Sequence, residues 1–295
     1  MQSIRYLHET EKEKSMLDWQ LMTGWTGDYY EKFPEQCNLS FLSFKHYYPE
    51  LDTIVARDSK KPIEFFDKYG CKYLELNEEE DFGKYYDNIR FRALLQATKP
   101  TIWVDPDVVA YCRIPLDTFE TEYDYIGFMS EKNEFYTIES NVDSLYSHLP
   151  FLEKPNKNYT RTGHNPGVVI LKDPKKLQDV FKTILKSMKY LAENKEYDWC
   201  EHVVLTQTLS EILMEEKGLI LSTLDMLLGF TRSVDVNSVW HHLTFSLDPY
   251  YSPWPRFSKA WAKGYNYLLE KLIQNESISQ NDLRKGLRKA KTSLI

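Results

Sequence analysis

Thr101-Ile102-Trp103-Val104-Asp105-Pro106-Asp107-Val108-Val109 is an apolar run interrupted by two carboxylates one residue apart and then resumed. Four consecutive apolar or β-branched residues predict a buried strand, and Pro106 removes a backbone donor, so the strand stops there. Both Asp side chains then sit at a carboxyl end, which is where open α/β sheets bind ligands. Two carboxylates at that spacing can share one hard divalent cation, and such a cation can hold phosphate oxygens. The competing reading is a plain surface turn with Pro between two acids.

Working outward, strands and helices alternate. Ile4 to Leu7 is expected as a first strand that presents Thr10 near its carboxyl end, and Glu11 to Phe33 as helix with a break at Gly24 and Gly27. Leu39 to Tyr48 reads as helix, Thr53 to Ala56 as a strand running into Arg57 and Asp58, Pro62 to Tyr69 as helix closed by Gly70, and Cys71 to Leu76 as strand. Asp87 to Lys99 is expected as the helix that delivers the chain into Thr101. Tyr125 to Phe128 and Gly167 to Leu171 read as further strands, and Lys175 to Asn194 as a long amphipathic helix with Leu177, Val180, Phe181, Ile184, Leu185 and Met188 on one side. Helices between strands imply an α/β protein with a mostly parallel central sheet flanked by helices.

A chain of 295 residues with 42% hydrophobic content is compatible with one embellished α/β domain. No stretch reaches the roughly 18 uninterrupted apolar residues of a membrane span, and Met1 to His8 lacks the apolar core of a signal peptide. The expectation is therefore a soluble, cytoplasmic protein. Cys37, Cys71, Cys112 and Cys200 are widely separated, as reduced thiols would be. Positions 256–295 hold nine Lys or Arg against three Asp or Glu, leaving 28 basic against 41 acidic side chains elsewhere. That basic helical extension, with Leu283 and Leu287 four apart, is expected either to pack its leucines on the body or to touch an anionic membrane or nucleic acid. The overall acidity argues against a large nucleic-acid footprint.

Three blocks resemble a known family. Lys84 to Leu95 leading into Ile102-Trp103-Val104-Asp105-Pro106-Asp107-Val108, Gly163-His164-Asn165-Pro166-Gly167-Val168, and Trp199-Cys200-Glu201-His202-Val203 together resemble the GT-A fold, DxD-containing nucleotide-sugar glycosyltransferases over roughly residues 3–254. The resemblance implies a catalytic region at 1–255, with a nucleotide-binding part about 1–110 and an acceptor part about 111–255, followed by the extension at 256–295. It implies transfer of a sugar from a nucleotide-sugar donor, by the family's habit a uridine diphosphate sugar, to a hydroxyl acceptor on a glycan, a lipid-linked glycan or a modified nucleic-acid base. Mn2+ or Mg2+ would be the cofactor, bound by Asp107 with Asp105 facing the ribose or sharing the ion. A His from the C-terminal region completes the metal shell in the family; His241 is preferred over its neighbour His242, and the Pro249 to Pro255 loop departs from the family in lacking Gly and Lys.

Donor contacts are expected from Thr10, Asp58, Asn165 and one of Arg90 and Arg92. Two positions apart on a helix the two arginines point in different directions, and the family pattern favours Arg92; the competing reading is a surface pairing with Asp87 or a neighbouring acid. Glu201 is the preferred acceptor-side carboxylate, with Asp198 three residues before it; the competing reading is acids favoured in a first helical turn. An Asp-nucleophile phosphohydrolase fits less well, because its Asp-x-Asp follows the first strand and needs later partners that are not apparent. A non-catalytic sugar-nucleotide or glycan-binding protein is the remaining alternative.

Overall fold

The computed structural model describes residues 17–27, 29–58, 63–76, 82–130, 139–154, 164–223, 228–230, 240–242, 266–279, 281–283 and 285. Ile4 to Leu7, Thr10, Leu287 and the Pro249 to Pro255 loop therefore lie outside the described residues.

The chain runs β1 (Gln20–Trp25), α1 (Tyr29–Lys32), α2 (Pro34–Tyr47), β2 (Asp52–Arg57), α3 (Glu64–Lys68), β3 (Lys72–Glu75), α4 (Asn88–Leu95), β4 (Thr101–Val104), β5 (Val108–Ala110), β6 (Tyr125–Ser130), α5 (Glu139–His148), β7 (His164–Leu171) and α6 (Gln178–Asn194). It continues through α7 (Trp199–Val203), a π-helical stretch (Val204–Leu209), α8 (Ser210–Glu216), β8 (Leu221–Thr223), β9 (Leu228–Phe230) and β10 (Trp240–His242). Seven strands form one sheet in the order β3-β2-β1-β4-β7-β6-β8, and β5, β10 and β9 form a second, small one.

One expectation is corrected. Gln20–Trp25, expected within a helix, is the central strand β1, parallel to β2 on one side and β4 on the other. All six of its residues are buried, so the two-residue alternation that marks a half-exposed strand is missing. The spacing of Trp19, Gln20 and Trp25 imitated a helix instead. Gly24 is not a helix break: a Cβ there would stand 2.4 Å from the Ala56 carbonyl oxygen, so glycine lets β1 and β2 approach closely.

Alternation reappears in which face each residue buries. Leu21, Ile102, Val104, Val168 and Ile170 share one apolar cluster with Phe44 and Tyr48 of α2 and the residue after it. Met22, Trp103, Val169 and Leu171 join the opposite cluster with Ile89, Phe91, Phe181, Ile184 and Met188. Both faces of the sheet are covered, as a doubly wound sheet requires. A third cluster joins Trp25, Phe41, Val55 and Phe66 to Leu268, Leu269, Leu272, Ile278 and Leu283, so the described part of the C-terminal extension packs against the N-terminal half.

From β1 the chain winds outward to β2 and β3, and α4 then returns it to β4 on the other side of β1. The strand order reverses between β1 and β4, which makes the crevice at their carboxyl ends the topological switch point. β7 runs antiparallel to β4, so its first residues reach that same edge.

Candidate active site

The acidic turn begins where β4 ends. Val108 N–H donates to the Asp105 carbonyl at 3.0 Å, closing a four-residue turn with Pro106 at its second position, the place where a fixed φ is favourable. Three neighbours hold this turn. Asp105 N–H donates to the Gly167 carbonyl at 2.7 Å, Ser40 Oγ of α2 donates to the Asp105 carbonyl at 3.3 Å, and Ser43 Oγ accepts from Ala110 N–H at 2.9 Å. The position of the turn is thus set by β7 and α2 as well as by its own strand.

The Asp105 carboxylate is equally constrained. Trp103 is fully buried, and its indole Nε1–H donates to Asp105 Oδ1 at 2.7 Å, which satisfies the ring's polar end. Arg90 Nη2 lies 3.2 Å from Asp105 Oδ1 and 3.0 Å from Oδ2, and 2.8 Å from Asp87 Oδ1. Burial works against the Arg90 charge, yet Asp105 and Asp87 hold the guanidinium above its usual range. It remains a resident cation between two carboxylates. Asp87 Oδ2 in turn meets His202 Nε2 at 3.0 Å, and His202 Nδ1 meets the Tyr197 hydroxyl at 2.8 Å.

Asp107 is half-buried on the same turn, close enough to the Cys37 thiol that, after burial itself, its charge is the next cause pushing that thiol up. β10 pairs antiparallel with β5, placing His241 opposite Val109 and His242 opposite Val108, so the backbone of the His pair runs beside the residues that follow Asp107. Among the described residues no group of three or more His, Cys, Asp or Glu side chains is poised for a metal. The oxygen donors on the turn are nonetheless of the type that a hard divalent cation takes.

The other expected residues spread around this edge. Asp58 follows β2 and accepts from Gly27 N–H, at 2.9 Å to Oδ1 and 3.0 Å to Oδ2, tying the ends of β1 and β2 together. Asn165 lies in β7, in register with Phe128 and two residues before the Gly167 carbonyl that holds Asp105. The arginines divide as their spacing requires. Arg90 reaches Asp105, whereas Arg92, the one favoured in sequence, is buried with Nη1 3.3 Å from Asn88 Oδ1 and its guanidinium over the Phe82 ring.

Glu201 is buried and its Oε1 accepts from Lys195 Nζ, with His148 Nδ1 at 2.8 Å, while among the described residues Oε2 has no hydrogen-bond partner. Asp198 is exposed; its Oδ1 lies 3.4 Å from Glu201 N–H and its carbonyl accepts from His202 N–H, the geometry of a residue that starts a helix. Sequence reasoning offered Asp87 only as a surface partner of the arginines and gave no role to His202, Trp103 or Tyr197. The Asp87-x-x-Arg90 spacing on α4 was the available signal for the first; nothing local announces a contact across 115 residues, as between His202 and Asp87.

No family model matches the chain. Residues of this chain are 32% identical over 108 positions to beta-1,4 N-acetylgalactosaminyltransferase 2 of Mus musculus, a match covering 35% of this chain and 20% of that protein. The chain thus spans about a fifth of the curated relative it matches. Among solved structures, the galactosyltransferase LgtC in complex with donor and acceptor sugar analogs is similar at a TM-score of 0.54 and 11% identity, over 90% of this chain and 99% of that one. An active-site mutant of LgtC gives 0.52 at 12% identity over the same shares. With the strand order and the acidic turn at the switch point, these likenesses show that the chain has the fold of the GT-A glycosyltransferases.

Proposed function

We propose that the protein is a metal-dependent glycosyltransferase that moves a sugar from a nucleotide-sugar donor, with a uridine diphosphate sugar first in line, to a hydroxyl acceptor, with a glycan first. The observation that carries this reading is the placement of the Asp105-Pro106-Asp107 turn at the carboxyl edge of the β1–β4 switch point, pinned by β7, α2 and Arg90. LgtC, similar in fold, is described in complex with donor and acceptor sugar analogs, which supports a sugar donor and a sugar acceptor here.

The turn's carboxylates fit a divalent ion by chemistry, so Asp107, with Asp105 beside it, would hold Mn2+ or Mg2+. Cross-strand partners share a face of a sheet, and so do positions two apart on one strand. Position 241 is in register with Val109, and Asp107 lies two residues before Val109, which favours position 241 over 242 as the third ligand. When bound, such an ion neutralises the departing diphosphate. Asp105, fixed by Trp103 and Arg90, is preset to orient the ribose side of the donor, at no cost in reorganisation. Asp58, Arg92 and Asn165 are proposed donor contacts, as is Thr10, which lies outside the described residues. Glu201 is the proposed acceptor-side carboxylate, because Oε2 takes no hydrogen bond from the described residues while Lys195 and His148 hold Oε1. Asp198, exposed at the start of α7, is the weaker candidate for that role.

The test is release of nucleoside diphosphate from a panel of nucleotide sugars, with and without Mn2+. Release should require metal and disappear in Asp107→Ala. Equal release without metal, or an unaffected Asp107→Ala protein, counts against the proposal, and nucleotide binding with no turnover for any donor or acceptor marks a binding protein instead.

A further inference from the structure

Arg90, Asp87 and His202 form a continuous polar chain that crosses between two parts of the fold. It begins at Asp105 on the donor edge, passes through Arg90 Nη2 at 3.0 Å and Asp87 at 2.8 Å, and reaches His202 Nε2 at 3.0 Å on α7, where Tyr197 closes it at 2.8 Å. Arg90 is 2% exposed and His202 fully buried, so water does not stand in for either. An ionised carboxylate only accepts, so His202 Nε2 donates to Asp87 and thereby fixes which way the Asp87 carboxylate faces Arg90. Arg90 Nη2 is a single nitrogen shared between Asp87 and both oxygens of Asp105, so its position is a compromise between the two acids. A change in the angle of Asp87 must move it.

We propose that His202 is a positioning residue for the Asp105 carboxylate, acting through Asp87 and Arg90, and that α7 is thereby coupled to the donor edge. The proposal rests on reading the acidic turn as the donor site; the chain of contacts itself does not. Among the described groups facing the His202 ring are Asp87, the Tyr197 hydroxyl and ring, and the rings of Tyr85 and Tyr86. Removing the His202 donor takes a bond from Asp87 Oδ2, and the carboxylate settles at a new angle. Outer partners of ligating groups commonly contribute about 10–100-fold to affinity or activity, which sets the size of effect to expect.

The readout is the indole N–H resonance of Trp103 in the isotopically labelled full chain, assigned by its absence in Trp103→Phe, because that N–H donates to Asp105 Oδ1. In His202→Leu the resonance should move, and uridine diphosphate in the presence of Mn2+ should bind about tenfold more weakly. His202→Gln, whose amide can still donate to Asp87, should restore both. Tyr197→Phe, a milder change at the far end of the chain, should move the resonance in the same direction by less, and it carries the test if His202→Leu does not fold. A resonance unmoved in folded His202→Leu or in Tyr197→Phe overturns the proposal, as does His202→Gln behaving like the leucine variant. If the unaltered protein binds no nucleotide, the donor-site reading fails, while the resonance still decides whether His202 sets Asp105.

Discussion

Replacing Arg90 by Met removes a buried cation and leaves Asp87 and Asp105 facing one another across the space it filled. Arg90 is 2% exposed, and the side chains of Asp87 and Asp105 are 17% and 20% exposed, so neither acid can swing wholly into water. At an effective dielectric constant near 20, each charge pair at such a separation is worth about 4 kcal/mol before desolvation is counted. Desolvation offsets most of that, and breaking a buried pair by removing one partner typically costs about 3–5 kcal/mol. Arg90→Met should therefore lose about 4 kcal/mol in urea unfolding followed by tryptophan fluorescence, and at about 2–4 °C per kcal/mol its Tm should fall by about 10 °C. Because the pair is buried, the loss should persist in 1 M salt, where the Debye length is about 3 Å. In a double-mutant cycle with Asp87→Asn, the two losses should fall short of adding. A loss below about 1 kcal/mol, or one that vanishes in high salt, would refute the buried-cation reasoning, since those are the properties of a surface pair.

Two further outcomes test the packing. Gly24→Ala should destabilise the protein by about 2 kcal/mol or more, because its Cβ would meet the Ala56 carbonyl at 2.4 Å and the Ala56 Cβ at 2.9 Å, both parts of the adjacent strand; an unchanged urea midpoint would contradict the β1–β2 register. Burial opposes the charge of Asp282, yet bonds from Ser279, Lys271 and Tyr267 hold its carboxyl down at about 2 from an ordinary 3.8. A depressed folded pKa contributes stability that is present above the unfolded value and is lost as pH falls through the folded one. Asp282→Asn should thus be less stable than the unaltered chain by about 2 kcal/mol at pH 6, with the difference closing between about pH 4 and pH 2, and hydrogen exchange of helix 266–273 should show it. A difference that stayed constant over that range would exclude the ion-pair and hydrogen-bond account.

Much of this arrangement is written locally. Thr101 to Val104, Pro106 and the paired acids specify a strand, its stop and a turn within nine residues, and the amphipathic period of α6 places Val180, Phe181, Ile184 and Met188 on the sheet. β1 was illegible for a physical reason: a central parallel strand buried on both faces carries no alternation, and Gly24 serves a close approach that only the neighbouring strand reveals. The preference between Arg90 and Arg92 could not be settled from spacing, because which one meets Asp105 depends on how α4 is rotated against β4. His202 and Asp87 are joined by tertiary contact alone, and the register of β10 on β5, which brings positions 241 and 242 to the acidic turn, is set by strand pairing across more than a hundred residues. The GT-A fold was signalled by three short blocks, and these converge because β4 ends and β7 begins at one edge, where Arg90 of α4 meets Asp105 and His202 of α7 meets Asp87.

Among the described residues no helix is long and apolar enough to cross a membrane. The C-terminal leucines Leu268, Leu269, Leu272 and Leu283 are committed to the N-terminal half, so any anionic surface the extension meets would be met by its basic side chains and not by these leucines.

The central claim concerns where a metal and a diphosphate sit. Crystals of the protein soaked with Mn2+ and uridine diphosphate, measured at the manganese absorption edge, should show one anomalous peak within bonding distance of an Asp107 carboxylate oxygen, with the diphosphate on its far side and Asp105 still held by Arg90 and Trp103. A peak elsewhere, with Asp107 facing solvent and the nucleotide away from the β1–β4 edge, would contradict it.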